Sequence, residues 1–305
     1  MYKLKYAEFF ITNVCNLSCE NCNRFSNYNF KGTWDWQPNL YEPWSKKLDL
    51  DLLCIMGGEP TLNPHLTKWI EGLSKLWPKA QKILKTNGTR LQFFEYPKFT
   101  NLLKKYNWLI EVSLHSSLKS KITKDILSNL HRYFGPIKFD LELDKKNVFK
   151  ARWDIPGITK DNIFADKIRL LSPSGLRIDI RSKWKFVKNS FKDPINMEFH
   201  NSNPELAHKL CVNKICHTFI DGKLYKCGAV ALLPNLLKQF NKPIPTELSS
   251  YLPLSIDNVT QESLYNLSNN KIDACRLCSD KEEDWQTFPI ESLQKKFFKG
   301  EFNGK

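Results

Sequence analysis

Cys15-Asn16-Leu17-Ser18-Cys19-Glu20-Asn21-Cys22 follows directly on the apolar run Ala7–Thr12, AEFFIT. The run reads as a short β-strand, so the C-x3-C-x2-C array stands on the loop leaving the strand's C-terminal end. Three thiolates so close together can grip three corners of one cubane iron–sulfur cluster and leave the fourth iron without a protein ligand. A structural zinc site needs a fourth local Cys or His to close its tetrahedron. The nearest histidine in the sequence is His65.

Outward from this array the same strand-then-turn pattern recurs. Leu50–Met56 ends at Gly57-Gly58, and Gln81–Thr86 ends at Asn87-Gly88. Leu109–Leu114, Ile137–Leu143 and Lys167–Leu171 read as three further strands. Short apolar runs bounded by turn residues are what strands of a covered parallel sheet look like. Between them, Leu66, Trp69, Ile70, Leu73, Leu76 and Trp77 follow helical spacing up to Pro78, and Ile122, Ile126, Leu130 and Phe134 do so up to Gly135-Pro136. The alternation predicts an α/β fold with right-handed crossovers: a partial (β/α)6 TIM-like barrel, with its functional residues at the C-terminal ends of the strands. The pattern weakens after about residue 182. Residues 1–182 are therefore expected to form the core, and residues 183–305 a small cysteine-rich appendage.

The array resembles the signature of the radical S-adenosylmethionine (SAM) superfamily. That resemblance implies a 4Fe–4S cluster on Cys15, Cys19 and Cys22 whose open iron chelates the amino and carboxylate groups of SAM. Electron transfer to the sulfonium then releases a 5′-deoxyadenosyl radical, which abstracts a substrate hydrogen. The family usually has an aromatic residue just before the third cysteine. This chain has Asn21 there, which leaves the packing around the adenine open. Gly57-Gly58-Glu59-Pro60 is similar to the family's GGE motif, which holds the SAM amino group. Two glycines would let the ligand approach the backbone, and Glu59 would accept hydrogen bonds from its ammonium. Thr86-Asn87-Gly88 resembles a family element, which marks Asn87 as a further candidate beside its reading as a plain turn. Ser113, with Glu59, is a candidate contact for SAM in the catalytic site, or else a half-buried strand serine. His115 reads as a structural histidine or a proton-transfer residue, and Cys54 as a small buried apolar residue.

Five cysteines remain: Cys211, Cys216, Cys227, Cys275 and Cys278. Phe219–Tyr225 reads as a hairpin turning at Asp221-Gly222, with Cys227 just beyond its returning strand. Two separated thiolates and the Cys275/Cys278 C-x2-C pair can close a four-ligand site. The arrangement resembles the twitch domain of radical SAM enzymes, a shortened SPASM domain, which implies one auxiliary 4Fe–4S cluster. Cys211 and Cys216 compete for one position. Tetrahedral zinc is the physical alternative, because C-x2-C pairs serve zinc ribbons equally well.

Composition narrows the remaining classes. The chain has 305 residues, 41% of them hydrophobic and 26% charged, which is ordinary for a globular protein. No apolar run approaches the roughly 20 residues of a membrane helix. The first residues lack a signal peptide's apolar stretch, so a cytoplasmic, reducing location is expected. Nine cysteines in such a compartment point to metal or redox chemistry rather than disulfides. The net charge of +14 fits an anionic partner, or simply Lys-rich codon usage spread over solvated faces.

The resemblance implies an oxidoreductase acting on an unactivated C–H bond, with SAM, the SAM-bound 4Fe–4S cluster and one auxiliary 4Fe–4S cluster as cofactors. A flavodoxin or ferredoxin would supply electrons. A small sugar-like or nucleotide-linked substrate is the first expectation, and a peptide modified by a maturase is the second. Such maturases often carry an N-terminal peptide-recognition domain, and the first strand here begins within ten residues. A zinc-bearing basic nucleic-acid-binding protein is the reading from a different class.

Overall fold

A computed structural model describes residues 1–19, 22–115, 121–134, 142–143, 149–150, 167–171, 176–182, 185–186, 190–194, 196–211, 213–281 and 285–286. In chain order the first elements are β1 (Tyr2–Phe10), α1 (Pro38–Lys47), β2 (Leu48–Met56), α2 (Leu66–Leu76), β3 (Gln81–Thr86), α3 (Lys98–Lys105), β4 (Trp108–Leu114) and α4 (Lys121–Phe134). Short strands follow: β5 (Glu142–Leu143), β6 (Phe149–Lys150), β7 (Lys167–Leu171), β8 (Arg177–Ser182), β9 (Lys185–Phe186), β10 (Phe191–Asp193) and β11 (Glu198–Phe199). The last elements are α5 (Pro204–Lys209), β12 (His217–Ile220), β13 (Lys223–Tyr225), α6 (Gly228–Gln239), α7 (Thr246–Ser249), α8 (Gln261–Asn269) and β14 (Trp285–Gln286). The fold is α/β with largely parallel strand pairing. Among the described residues no helix is long and apolar enough to cross a membrane.

Two compact units are present, residues 1–83 with 185–305, and residues 84–184. In the first, β1 is parallel to both neighbours, with Phe9 opposite Ile55 of β2 and Phe219 of β12. β13 returns antiparallel to β12 through Asp221 and Gly222, both at positive φ, as the Asp-Gly hairpin signal predicts. The later segment supplies a strand hydrogen-bonded to β1.

The alternation of the strands decides what they pack against. Ala7, Phe9, Leu53, Ile55 and Phe219 are all fully buried. Phe9 stacks on Phe219 with centroids 4.9 Å apart and meets Tyr41 edge-on at 5.7 Å. Trp44 packs edge-on against Phe219 at 5.0 Å. Pro38 starts α1, where its missing N–H goes unused, and Tyr41 and Trp44 then fall one turn apart on the buried face. The indole N–H of Trp44 donates to Gly222 O at 2.6 Å, and that of Trp77 to Leu48 O at 2.8 Å, so these buried polar atoms are satisfied. A second core forms where Val230, Leu233, Leu236 and Leu237 of α6 pack with Phe10, Phe25 and Phe191.

In the second unit β4 is buried along its whole length and pairs in parallel with β8, Glu111 opposite Asp179 and Ser113 opposite Arg181. The expected sixth strand, Lys167–Leu171, is present as β7, but it runs antiparallel to β8. Only residues 172–176 separate the two, and a parallel return needs a crossover of about a dozen residues. Of the expected fifth strand, residues 137–141 lie outside the described residues, and Glu142–Leu143 pairs with β6 instead. The pairings establish a largely parallel α/β sheet, coarser than the six-unit partial barrel expected from the sequence.

Phe219→Ala removes a ring that three aromatic side chains of the first unit enclose. It is expected to destabilise the protein by about 3–5 kcal/mol, read as a lower midpoint in chemical unfolding monitored by tryptophan fluorescence.

Candidate metal centres

The loop after β1 is built by backbone hydrogen bonds that turn it back on itself. Cys22 N donates to Cys19 O at 3.2 Å, and Phe25 N to Cys22 O at 3.0 Å. Leu17 N donates to the Cys15 sulfur at 3.4 Å. Cys19 is buried, while Cys15 and Cys22 are half-buried. Burial pushes the Cys19 thiol up, and the charges of Cys22 and Cys15 push it further. The three thiols thus share one partly dry loop, where each charge acts on Cys19. Three thiolates repel there unless a cation lies among them, so the donor set fits a positively charged iron core.

Gly57 and Gly58 have a reason that lies in the protein itself. A Cβ at Gly57 would overlap Thr12 O, and one at Gly58 would overlap Val14 O. Gly58 N donates to Thr12 O at 2.7 Å, and Glu59 N to Val14 O at 2.8 Å. The glycines thus seat the cysteine loop against the end of β2. Glu59 is fully buried. Its Oε1 accepts from Thr61 N at 3.1 Å and from Thr61 Oγ1 at 2.5 Å, capping the short 3-10 helix Pro60–Leu62. Asn87, in the second unit, caps its own turn: Oδ1 accepts from Thr89 N and Thr89 Oγ1, and Gly88 takes a positive φ. Ser113 is buried in β4.

Four of the later cysteines act on one another's thiols through charge. Cys278 is pushed up to about 12 by burial and then by Cys227, against a lowering from Ser190, with Cys211 and Cys275 adding to the rise. Ser190 Oγ lies 3.6 Å from the Cys278 sulfur. Burial also raises Cys227, as does Cys211, while the backbone N–H groups of Val230 and Ala229 at the start of α6 favour its thiolate. Cys211, Cys227, Cys275 and Cys278 are thus one electrostatic group. Cys216 acts on Tyr6 and Arg24, and Arg24 also feels Cys227. None of the nine cysteines forms a disulfide. Among the described residues, no three His, Cys, Asp or Glu side chains are placed to share one metal ion.

Two cations near these sulfurs were not singled out from the sequence. Arg24 follows Cys22 by two residues, and its Nη2 meets Glu8 Oε2 at 2.5 Å. Burial opposes its charge, but Glu8, Cys216, Tyr6 and Cys227 more than offset that. A Cβ at Gly228 would overlap the guanidinium, so the residue after Cys227 leaves room for it. Lys226, buried beside Cys227, is the second. In a chain with 46 Lys and Arg residues, no pattern separates these two from the solvated ones.

The chain matches the family model "4Fe-4S single cluster domain" over residues 7–133. That stretch contains the C-x3-C-x2-C array. No curated protein matches. Among solved structures, BtrN in complex with AdoMet and 2-DOIA is similar at 25% identity and a TM-score of 0.31, over 40% of this chain and 50% of that one. SuiB from Streptococcus suis bound to precursor peptide SuiA shows 19% identity and a TM-score of 0.32, over 41% of this chain and 27% of that one. Native anSMEcpe with bound AdoMet and Cp18Cys peptide shows 11% identity and a TM-score of 0.40, over 97% and 96%. The chain thus matches about half the length of the BtrN chain. Residues 7–133 thus match a 4Fe–4S single-cluster domain, the stretch that holds the cysteine spacing from which the resemblance is drawn.

The grouping of thiols separates Cys211 from Cys216. Cys216→Ala is expected to keep the wild-type iron and sulfide after anaerobic reconstitution, and Cys211→Ala to lose the portion held by the second site. Equal losses in the two variants would contradict the placement of Cys216.

Proposed function

We propose that this chain is a radical SAM oxidoreductase with two 4Fe–4S clusters, acting on a small polar substrate and folded about a partial (β/α) barrel. The observation that carries the reading is the loop of Cys15, Cys19 and Cys22, whose three thiols lie in the matched 4Fe–4S stretch. The clusters would supply the electron that cleaves SAM to a 5′-deoxyadenosyl radical, and the acceptor for the electron left when the substrate has lost a hydrogen atom and a proton.

The chain's own residues prepare for this chemistry. Cys15, Cys19 and Cys22 would hold the first cluster and leave one iron open for SAM. Gly57 and Gly58 keep that loop seated on β2, which fixes where the open iron would lie. Glu59, held by Thr61, is the carboxylate assigned to the SAM ammonium. Its burial and its fixed Oε1 pre-orient it, so little entropy is lost on binding. Asn87 and Ser113 are assigned to SAM by resemblance alone. Cys211, Cys227, Cys275 and Cys278 would hold the auxiliary cluster, with Ser190 bonded to one ligand. A flavodoxin or ferredoxin would deliver electrons.

The decisive measurement is SAM cleavage under a strong reductant. Wild type is expected to form 5′-deoxyadenosine and methionine, and the Cys15, Cys19 and Cys22 triple Ala variant to form neither while losing about half of the iron. Unchanged iron in the triple variant would sink the assignment.

The auxiliary site has a separate test. Cys275→Ala is expected to cleave SAM without substrate turnover, because cleavage needs only the first cluster. Zinc in place of a second 4Fe–4S signal in the Mössbauer spectrum of wild type would overturn the two-cluster reading.

Removing the Glu59 carboxylate is expected to weaken SAM binding by about 1.5–3 kcal/mol, the worth of a charge-assisted hydrogen bond. Wild-type SAM affinity in Glu59→Gln, read by equilibrium dialysis, would leave Glu59 as a cap of its turn only.

A further inference from the structure

Arg24 lies inside the turn by which the chain leaves the first cysteine array. Phe25 N donates to Cys22 O at 3.0 Å and closes that turn, and Cys22 N donates to Cys19 O at 3.2 Å. The Phe25 ring packs edge-on against Phe191 at 5.7 Å in the second core. The Arg24 side chain is 6% exposed and reaches three other segments. Its Nη2 meets Glu8 Oε2, in the middle of β1, at 2.5 Å, and the Met56 sulfur, at the end of β2, at 3.4 Å. A Cβ on Gly228, the first residue of α6 and the one after Cys227, would overlap its Nη1.

The guanidinium cannot give way freely. Glu8 is held at both oxygens, with Oε1 accepting from Tyr6 Oη at 3.0 Å and Oε2 from Arg24. Swinging Arg24 away from Gly228 would take this cation from a buried carboxylate, which is costly. A rigid planar fork suits such a junction, because it bonds along one edge and packs along another. One side chain thus joins the loop of the first array to the segment that carries Cys227.

Building on the reading of Cys15, Cys19 and Cys22 as cluster ligands, we propose that Arg24 is a positioning residue for the first cluster. It sets the loop of the array against the start of α6, and the absent side chain at Gly228 is the space it needs. Arg24 acts through the loop it belongs to and not on the reacting atoms. The consequence is a long-range dependence: the way the first centre takes SAM depends on the residue after Cys227, which in sequence belongs to the other cysteine group.

The test is paramagnetic resonance of the full-length, anaerobically reconstituted and reduced protein, with and without SAM, beside SAM affinity from equilibrium dialysis. SAM bound at an open iron changes the spectrum of that cluster. Gly228→Ala keeps every cysteine and is expected to lose the SAM-dependent change and to bind SAM more weakly. Arg24→Lys keeps a cation for Glu8 in a slimmer side chain. The double variant Arg24→Lys/Gly228→Ala is therefore expected to recover both the change and the affinity, because the added methyl has room. Loss of the response in Arg24→Lys itself, at an unchanged unfolding midpoint, also supports the inference, because it shows that the fork is required. A wild-type response in Gly228→Ala overturns it. An intact Arg24→Lys beside a double variant as damaged as Gly228→Ala overturns it too, since the harm then arises in α6 alone. That comparison decides the matter even where Gly228→Ala fails to fold. A wild type whose spectrum SAM leaves unchanged overturns the underlying cluster reading, a result visible before any variant is made.

Discussion

The guanidinium of Arg24, buried against the carboxylate of Glu8, ties the cysteine-bearing loop of the first unit to its sheet. Glu8 stands in the middle of β1, opposite Cys54 of β2 and Thr218 of β12. Arg24 comes two residues after the last cysteine of the first array, also donates to the Met56 sulfur at 3.4 Å, and fills the space beside Gly228. Removing one partner of a buried pair leaves an uncompensated charge and costs about 3–5 kcal/mol. That penalty holds the cysteine loop, the end of β2 and the start of α6 in one arrangement. The pair is polar, so it sits on the opposite face of β1 from Phe9, where the aromatic core closes.

Both faces of β1 are therefore committed, and the two commitments divide the labour. The apolar face supplies stability through Phe9, Phe219, Trp44 and Tyr41. The polar face carries Tyr6 and Glu8, with Cys54 and Cys216 close to Tyr6. Cys216 and Cys211 are near neighbours in sequence, yet they serve different surroundings. The short turn between them places Cys216 one residue before β12 and leaves Cys211 just past α5. At the start of α6 the backbone N–H groups of Ala229 and Val230 favour the Cys227 thiolate, against its burial.

Much of this was legible in the residues themselves. The strands after which the first array, Gly57-Gly58 and Asn87-Gly88 fall are where their apolar runs place them, within two residues except at the start of β1. The Asp221-Gly222 turn was legible because positive φ at both positions leaves few other choices. The direction of β7 is not legible in its residues, because an apolar run carries no mark of its direction. The role of Gly57 and Gly58 was read as room for a ligand. Their close contact is with Thr12 and Val14, a neighbour far away in sequence that pattern alone cannot supply.

By itself the sequence determined that the three thiols of the first array share one loop, since eight residues cannot part them whatever the rest of the chain does. It also determined the α/β class, because strand and helix periods are local properties. Only the tertiary structure brings the charges of Cys211 and Cys275, more than sixty residues apart in the chain, to bear on one thiol, that of Cys278. It alone singled out Arg24 and Lys226 among many cations, because burial is a property of the whole fold, and a charge acquires its energetic weight only when the surrounding chain removes it from water.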